Sequence, residues 1–146
     1  EKTDPARRAR VGLVAKAPPA RLAALMAGVE VPGFDWLRAP EVGGVMVRGR
    51  MGGTGAPFNL GEMTVTRCAL RLATGEVGHG YVQGRDKAHA ERAALVDALM
   101  QTDRAEAVQA QVLDPLAEAA LTAKATRAAK AAATKVDFFT MVRGED

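Results

Sequence analysis

Met63-Thr64-Val65-Thr66-Arg67-Cys68-Ala69-Leu70-Arg71-Leu72, then Ala73-Thr74-Gly75, then Glu76 to Gln83, is the stretch on which the fold turns. In an extended chain Thr64, Thr66, Cys68, Leu70 and Leu72 share one face, and Met63, Val65, Arg67, Ala69 and Arg71 share the other. The two arginines mark the second face as the one turned to solvent or a partner. Ala73-Thr74-Gly75 is a compact connection with a glycine available for positive φ, so the flanking strands are expected to pair antiparallel. Working upstream, Phe34 to Arg38 and Gly44 to Arg50 also read as short strands, separated by Pro40 and Gly43.

Outside this region the periodicity is helical. Asp4-Pro5 is a cap and first-turn pair for a helix running to Ala17, and a second short helix starts near Pro19 and stops at Gly28. Asp86 caps a helix that carries Ala93, Val96 and Met100 and reaches Gln101. An alanine-rich helical stretch spans about Asp103 to Thr134, and Asp114-Pro115 is expected to divide it in two. The fold class is therefore α+β: a small, mainly antiparallel β-sheet flanked by N-terminal helices and a C-terminal helical segment. One domain covers residues 1–146 and ends in an apolar tail, 136–143, in which Phe138, Phe139, Met141 and Val142 need cover from this chain's own sheet or from a partner.

Composition narrows the function classes. The chain is 48% apolar but only 4% aromatic, so its core is built from small side chains and gains comparatively little burial on its own. The net charge of +3 is spread along the chain, which does not indicate nucleic acid as a partner. Cys68 is the single cysteine; it cannot form an internal disulfide or hold a zinc ion or iron-sulfur cluster unaided. No stretch approaches the ~20 apolar residues of a membrane span and no secretory h-region is seen. The first residue, Glu1, implies a start trimmed of its methionine, and the expected compartment is the cytoplasm.

Two segments have the composition of anion sites. In Arg50-Met51-Gly52-Gly53-Thr54-Gly55 three glycines in four residues free the backbone to turn N–H groups toward a common point. No Lys-Ser/Thr follows, so this is not a phosphate loop of the nucleotide-hydrolase kind, and a tight strand connection is the plainer alternative. The second segment is Arg85-Asp86-Lys87, with His89 and Arg92 one turn on. Cations at a helix start oppose the dipole, which argues for an anionic ligand or acidic partner; a solvated helix face is the bland alternative. Arg67 on the open strand face joins these candidates. His79 and His89 lack helical metal-pair spacing, and Cys68 on an apolar strand face reads as a structural thiol.

These segments carry a family resemblance. Arg50 to Gly55, Thr66-Arg67, Tyr81 to Lys87, His89 to Arg92, Asp97 to Met100 and Val136 to Gly144 resemble, in order, the signature blocks of PhnG, the G-subunit family of the bacterial carbon-phosphorus lyase core complex. The resemblance covers about Gly44 to Gly144; the N-terminal helices and Asp103 to Thr134 agree only in character. It implies a role in phosphonate catabolism, inside an assembly of G, H, I and J subunits. There the I subunit, helped by G, H and L, displaces adenine from MgATP with a phosphonate. MgATP is then a substrate of the complex, this chain binds no cofactor alone, and the iron-sulfur cluster of the later radical step belongs to another subunit. Two function classes follow: a subunit lending Arg50, Arg85, Lys87, His89 or Arg92 to a bound anion, or a structural subunit contributing no side chain to chemistry. A free-standing nucleotide-binding enzyme is a distant third, lacking the phosphate loop it needs.

Overall fold

The computed structural model describes residues 4–50, 55 and 57–144, with backbone alone for 50, 57–60 and 136–144. Helices α1 (Pro5–Lys16) and α2 (Pro19–Met26) precede strands β1 (Phe34–Arg50), β2 (Pro57–Leu72) and β3 (Val77–Gln83). Helix α3 (Lys87–Leu99) follows, then α4 (Ala105–Val108), a π-helical turn (Gln109–Leu113) and α5 (Asp114–Gly144). The sheet is antiparallel throughout, in the order β1-β2-β3.

The β2–β3 hairpin forms as its sequence dictates. Gly75 takes φ +107°, its N–H reaches the Leu72 carbonyl at 2.8 Å, and Leu72 N–H reaches the Glu76 carbonyl at 2.8 Å. Thr66, Cys68, Leu70 and Leu72 are all buried on the face that meets the helices, while Arg71 on the other face is exposed. At the far end of β3 Gly84, at φ +90°, donates to Thr64 and accepts from the fully buried Thr66 hydroxyl at 2.7 Å, which turns the chain into α3.

The seam between β3 and α3 is unusually close. A Cβ placed on Gly78 would lie 2.0 Å from the Ala94 carbonyl oxygen, and one on Gly80 would lie 2.1 Å from that of Ala90. Helix backbone thus rests on strand backbone, which only glycine on the strand and alanine on the helix permit. The Cys68 thiol, on the neighbouring strand, donates to the Ala90 carbonyl at 3.3 Å. Burial pushes this thiol up to about 11.

Helix α1 lies antiparallel across α3, fastened at both ends. Near its start, Arg7 places Nε 2.9 Å and Nη2 2.8 Å from the two carboxylate oxygens of Asp97, which also accepts the His79 backbone N–H at 2.9 Å. Near its end, the Val14 carbonyl lies 2.9 Å from Nε2 of buried His89. The buried carboxylate is therefore saturated, as a charge at 4% residue exposure requires. Leu22, Leu99, Val108, Val112 and Leu113 complete the core, each fully buried Leu or Val contributing about 1.5–3 kcal/mol. The capping residues behave as expected: Asp4 accepts from Ala6 N–H at 3.1 Å and Asp86 from His89 N–H at 3.0 Å.

Two sequence expectations need correction, and one of two open alternatives falls away. Phe34–Arg38 and Gly44–Arg50 are parts of one strand, β1, with register irregularities between Trp36 and Arg38 and between Arg38 and Glu41. Pro40 does not end the strand because β1 is an edge strand, and bulged edges tolerate a residue without N–H. Asp114-Pro115 does not divide the C-terminal helix either. The π-helical turn before it, with Asp114 N–H bonded five residues back to Gln109, absorbs the proline, so Asp114 is helical and not a cap. Finally, the 136–143 tail joins no strand of the sheet; its backbone to Gly144 continues α5.

Two parts of the fold extend without cover. From Val65 to Arg71, β2 is flanked by β3, but its stretch from Pro57 to Thr64 pairs only with β1, leaving a two-stranded ribbon roughly 23 Å long. In α5 every side chain from Glu118 to Lys135 is exposed, Leu121 at 70%.

Gly80→Ala is expected to lower stability by about 3 kcal/mol in urea unfolding, since the helix must lift from the strand. Gly43→Ala, whose Cβ would meet nothing within 4 Å, is expected to change it by less than about 1 kcal/mol. The raised Cys68 pKa sets a second expectation. Between the unfolded thiol's pKa near 9 and about 11 the folded chain keeps a proton that the unfolded chain has lost, so stability falls as pH rises through this window. Cys68→Ser is expected to flatten that fall in a pH series of unfolding curves.

Candidate functional site

The helix start at Asp86 is the better defined of the two anion candidates. The turn at Gly84 sets Arg85 and Lys87 on the surface on either side of the capping Asp86. Neither Arg85 nor Lys87 makes an ion pair among the described residues, and both sit where the helix dipole disfavours a cation. Arg92 is half-buried one turn further on. His89 does not join them: it points inward to the Val14 carbonyl and fastens α1 to α3.

The glycine-rich candidate lies elsewhere. Gly52, Gly53 and Thr54 fall outside the described residues; Arg50 is the last residue of β1, paired with Pro57, and Gly55 lies between the strands. Arg50 is at the tip of the ribbon and Gly84 at the level of Thr64, so the two anion candidates are separated by about 20 Å along β2.

Arg67 occupies a third place. It stands in register between Glu41 of β1 and Tyr81 of β3, on the sheet face turned away from the helices. His79, Tyr81 and Gln83 are exposed on the same face of β3. The period-2 pattern of β2 marks this face at Arg67 and Arg71, and the pairing with β3 adds His79 and Tyr81 to it.

Sequence reasoning missed a further feature. A groove of about 870 Å³ runs between α1, the start of α2 and the first turns of α5, with Arg8, Lys16, Arg21 and Arg127 among its lining residues. Its cations come from three separate segments, so no local run of sequence announces it. The nearest signal was the basic character of α5 itself.

As for chemistry, Cys68 is buried and protonated well above neutral pH, which removes it as a nucleophile. The described residues hold no group of three or more His, Cys, Asp or Glu side chains able to grip a metal ion. No described helix is long and apolar enough to cross a membrane. The surface features with functional character are thus cationic and apolar: the helix start, the open sheet face and the groove.

Comparison with known proteins gives these features a setting. The family model described as "Phosphonate metabolism protein PhnG" matches residues 5–144, nearly the whole chain. A protein of Rhizobium meliloti (strain 1021), named "Alpha-D-ribose 1-methylphosphonate 5-triphosphate synthase subunit PhnG", is 56% identical over 111 residues, spanning 75% of this chain and 70% of that one. The match embraces the hairpin, the cationic helix start and α5 alike, and the chain belongs to the PhnG family of phosphonate-metabolism proteins.

Proposed function

We propose that this chain is the G subunit of an α-D-ribose 1-methylphosphonate 5-triphosphate synthase and acts as a helper without a catalytic centre of its own. In the reaction a phosphonate oxygen forms a bond to the anomeric carbon of MgATP's ribose as the bond to adenine breaks. The nucleotide is held by the I subunit, with H, J and, in function, L as the other partners, in the cytoplasm. MgATP is a substrate of the whole complex, and the iron-sulfur chemistry of later steps lies on another subunit.

The observation that carries this reading is the uncovered ribbon and helix. A lone two-stranded ribbon is marginally stable in water, and a helix stretch whose side chains from Glu118 to Lys135 are all exposed gains little beyond its own hydrogen bonds. Both are extensions that make physical sense when partner surfaces cover them. The name of the Rhizobium relative, a synthase subunit, agrees with such a role. A helper of this kind changes the outcome by excluding water and fixing the incoming phosphonate, which alters partitioning without a new catalytic group.

Phosphorus NMR tests the proposal. MgATP and methylphosphonate are incubated with the I, H and L subunits, with and without this chain. The chain alone is expected to give no turnover, and its addition is expected to shift product from ribose triphosphate to ribose phosphonate triphosphate. Equal product ratios would remove the helper role.

A second reading has its own observation: the exposed Arg85 and Lys87 at the α3 start, unfavourable for the helix, offer charge to the triphosphate or the phosphonate. On that reading Arg85→Ala and Lys87→Ala each lower turnover by the assembled complex about tenfold without loss of assembly, whereas Lys124→Ala leaves it unchanged. Wild-type rates in both helix-start variants would leave the purely structural role.

A further inference from the structure

We propose that the groove between α1 and α5 seats an acidic, amphipathic helix of a partner polypeptide; this rests on the reading of the chain as a dependent subunit. The floor of the groove is apolar, formed by Leu13 of α1 and buried Leu116 of α5 with small residues around them. Its cations are Arg8, Lys16, Arg21 and Arg127, and among the described residues no Asp or Glu lines it. Among the described residues none of the four is in an ion pair.

The fold itself explains only one of these charges. Lys16 closes the last turn of α1, where a cation suits the dipole. Arg21 lies in the first turn of α2 and Arg8 near the start of α1, both at the unfavourable end, and Arg127 is in the middle of α5, far from either terminus. Four like charges around one groove repel one another. A ligand with several carboxylates removes that repulsion and supplies the missing partners.

The shape of the site selects a helix among acidic ligands. α1 and α5 present their sides, so their backbone N–H groups are spent within the helices; the start of α2 also meets the groove, but Pro18 and Pro19 there carry no N–H to offer phosphate oxygens. Among the described residues no aromatic ring lines the groove for a base to stack on. Instead Ala9, Gly12, Ala119, Ala120 and Ala123 form shallow walls, which let a third helix approach to the ~8–10 Å axis separation of packed helices. The groove is also open along its length, because α5 continues beyond it with every side chain to Lys135 exposed. An occupant with Leu or Ile at i, i+3 and i+4 and Glu or Asp on its flanks would set apolar anchors on Leu13 and Leu116 and carboxylates against the rim.

The test uses the complex reconstituted from purified partner subunits. Two variants address the groove independently: the charge reversal Arg8→Glu/Arg21→Glu/Arg127→Glu, and Gly12→Phe, which fills it. A Cβ on Gly12 meets nothing within 4 Å, so the new side chain starts in open space. Lys124→Glu, outside the groove, is the charge control. Circular dichroism is expected to show no loss of melting temperature in any of the three, with a rise in the charge reversal, which relieves the repulsion. Binding of the partner subunits is expected to weaken about tenfold or more in both groove variants, with a shallower salt dependence in the charge reversal, and to change less than about twofold in the control. A photocrosslinker at Ala120 is expected to capture a partner peptide rich in Glu and Asp with apolar residues at helical spacing. Wild-type affinity and salt dependence in both groove variants would overturn the proposal. So would capture of a basic peptide, or ATP binding by the wild-type chain that the charge reversal abolishes while assembly stays intact. Should the wild-type chain fail to join the partner subunits at all, the subunit reading falls too; intact assembly with indifferent groove variants removes the groove assignment alone.

Discussion

Everything in this fold depends on how closely α3 can approach β3. A Cβ on Gly78 or Gly80 would lie only 2.0 or 2.1 Å from the carbonyl oxygen of Ala94 or Ala90, so the glycines let strand and helix backbones meet directly. An alanine-rich helix has little side-chain area to bury, so it gains from dispersion and exclusion of water only if the two backbones come close. Glycine on one side and alanine on the other provide that approach. Once α3 is set down on the sheet, Asp97 and His89 fall at fixed heights on its upper side, and α1 is held there by Arg7 and the Val14 carbonyl. A chain with 4% aromatic residues thus obtains a rigid body from close contact instead of bulk.

Much of this body was legible in the sequence. The alternation from Met63 to Leu72 named the core face, Ala73-Thr74-Gly75 the hairpin, and Asp4 and Asp86 the caps, because each of these signals is local and acts through its own backbone. The failures share a different physical origin. Pro40 reads as a break because its lost N–H matters in a central strand; on an edge strand that N–H has no neighbour to serve. Pro115 reads as a break because a regular α-helix has no place for it, whereas a π-turn supplies one. Neither the strand's place in the sheet nor the spare residue of a π-turn shows in a window of sequence.

The functional surface was legible in the same uneven way. Arg85 and Lys87 stand exposed as their polar context implied, and Arg67 lies on the open sheet face. His89 is the instructive exception. Its neighbours are polar, yet it occupies the face of α3 that meets α1, and its ring serves a backbone carbonyl. Helical spacing alone cannot separate the two outcomes when a helix is covered on both sides. The groove was invisible for a simpler reason: Arg8, Arg21 and Arg127 are brought together only by tertiary structure.

The contrast between body and extensions bears most directly on function. Within the body every buried side-chain nitrogen and oxygen among the described residues has a partner, including the charge of Asp97, so nothing polar is held in reserve there. Unpaired charge and uncovered backbone are instead concentrated at the periphery, in the cations of the α3 start and the groove, the ribbon and α5. An enzyme acting alone usually arranges the reverse, with poised polar groups in a pocket and a quiet exterior. Spending internal polarity on rigidity and leaving the exterior unsatisfied is the distribution that suits a subunit, because partner surfaces can then supply both the cover and the counter-charge. In a chain with so little apolar bulk, peripheral contacts of that kind would add stability that its own small core cannot, and would couple assembly to the ordering of the extensions.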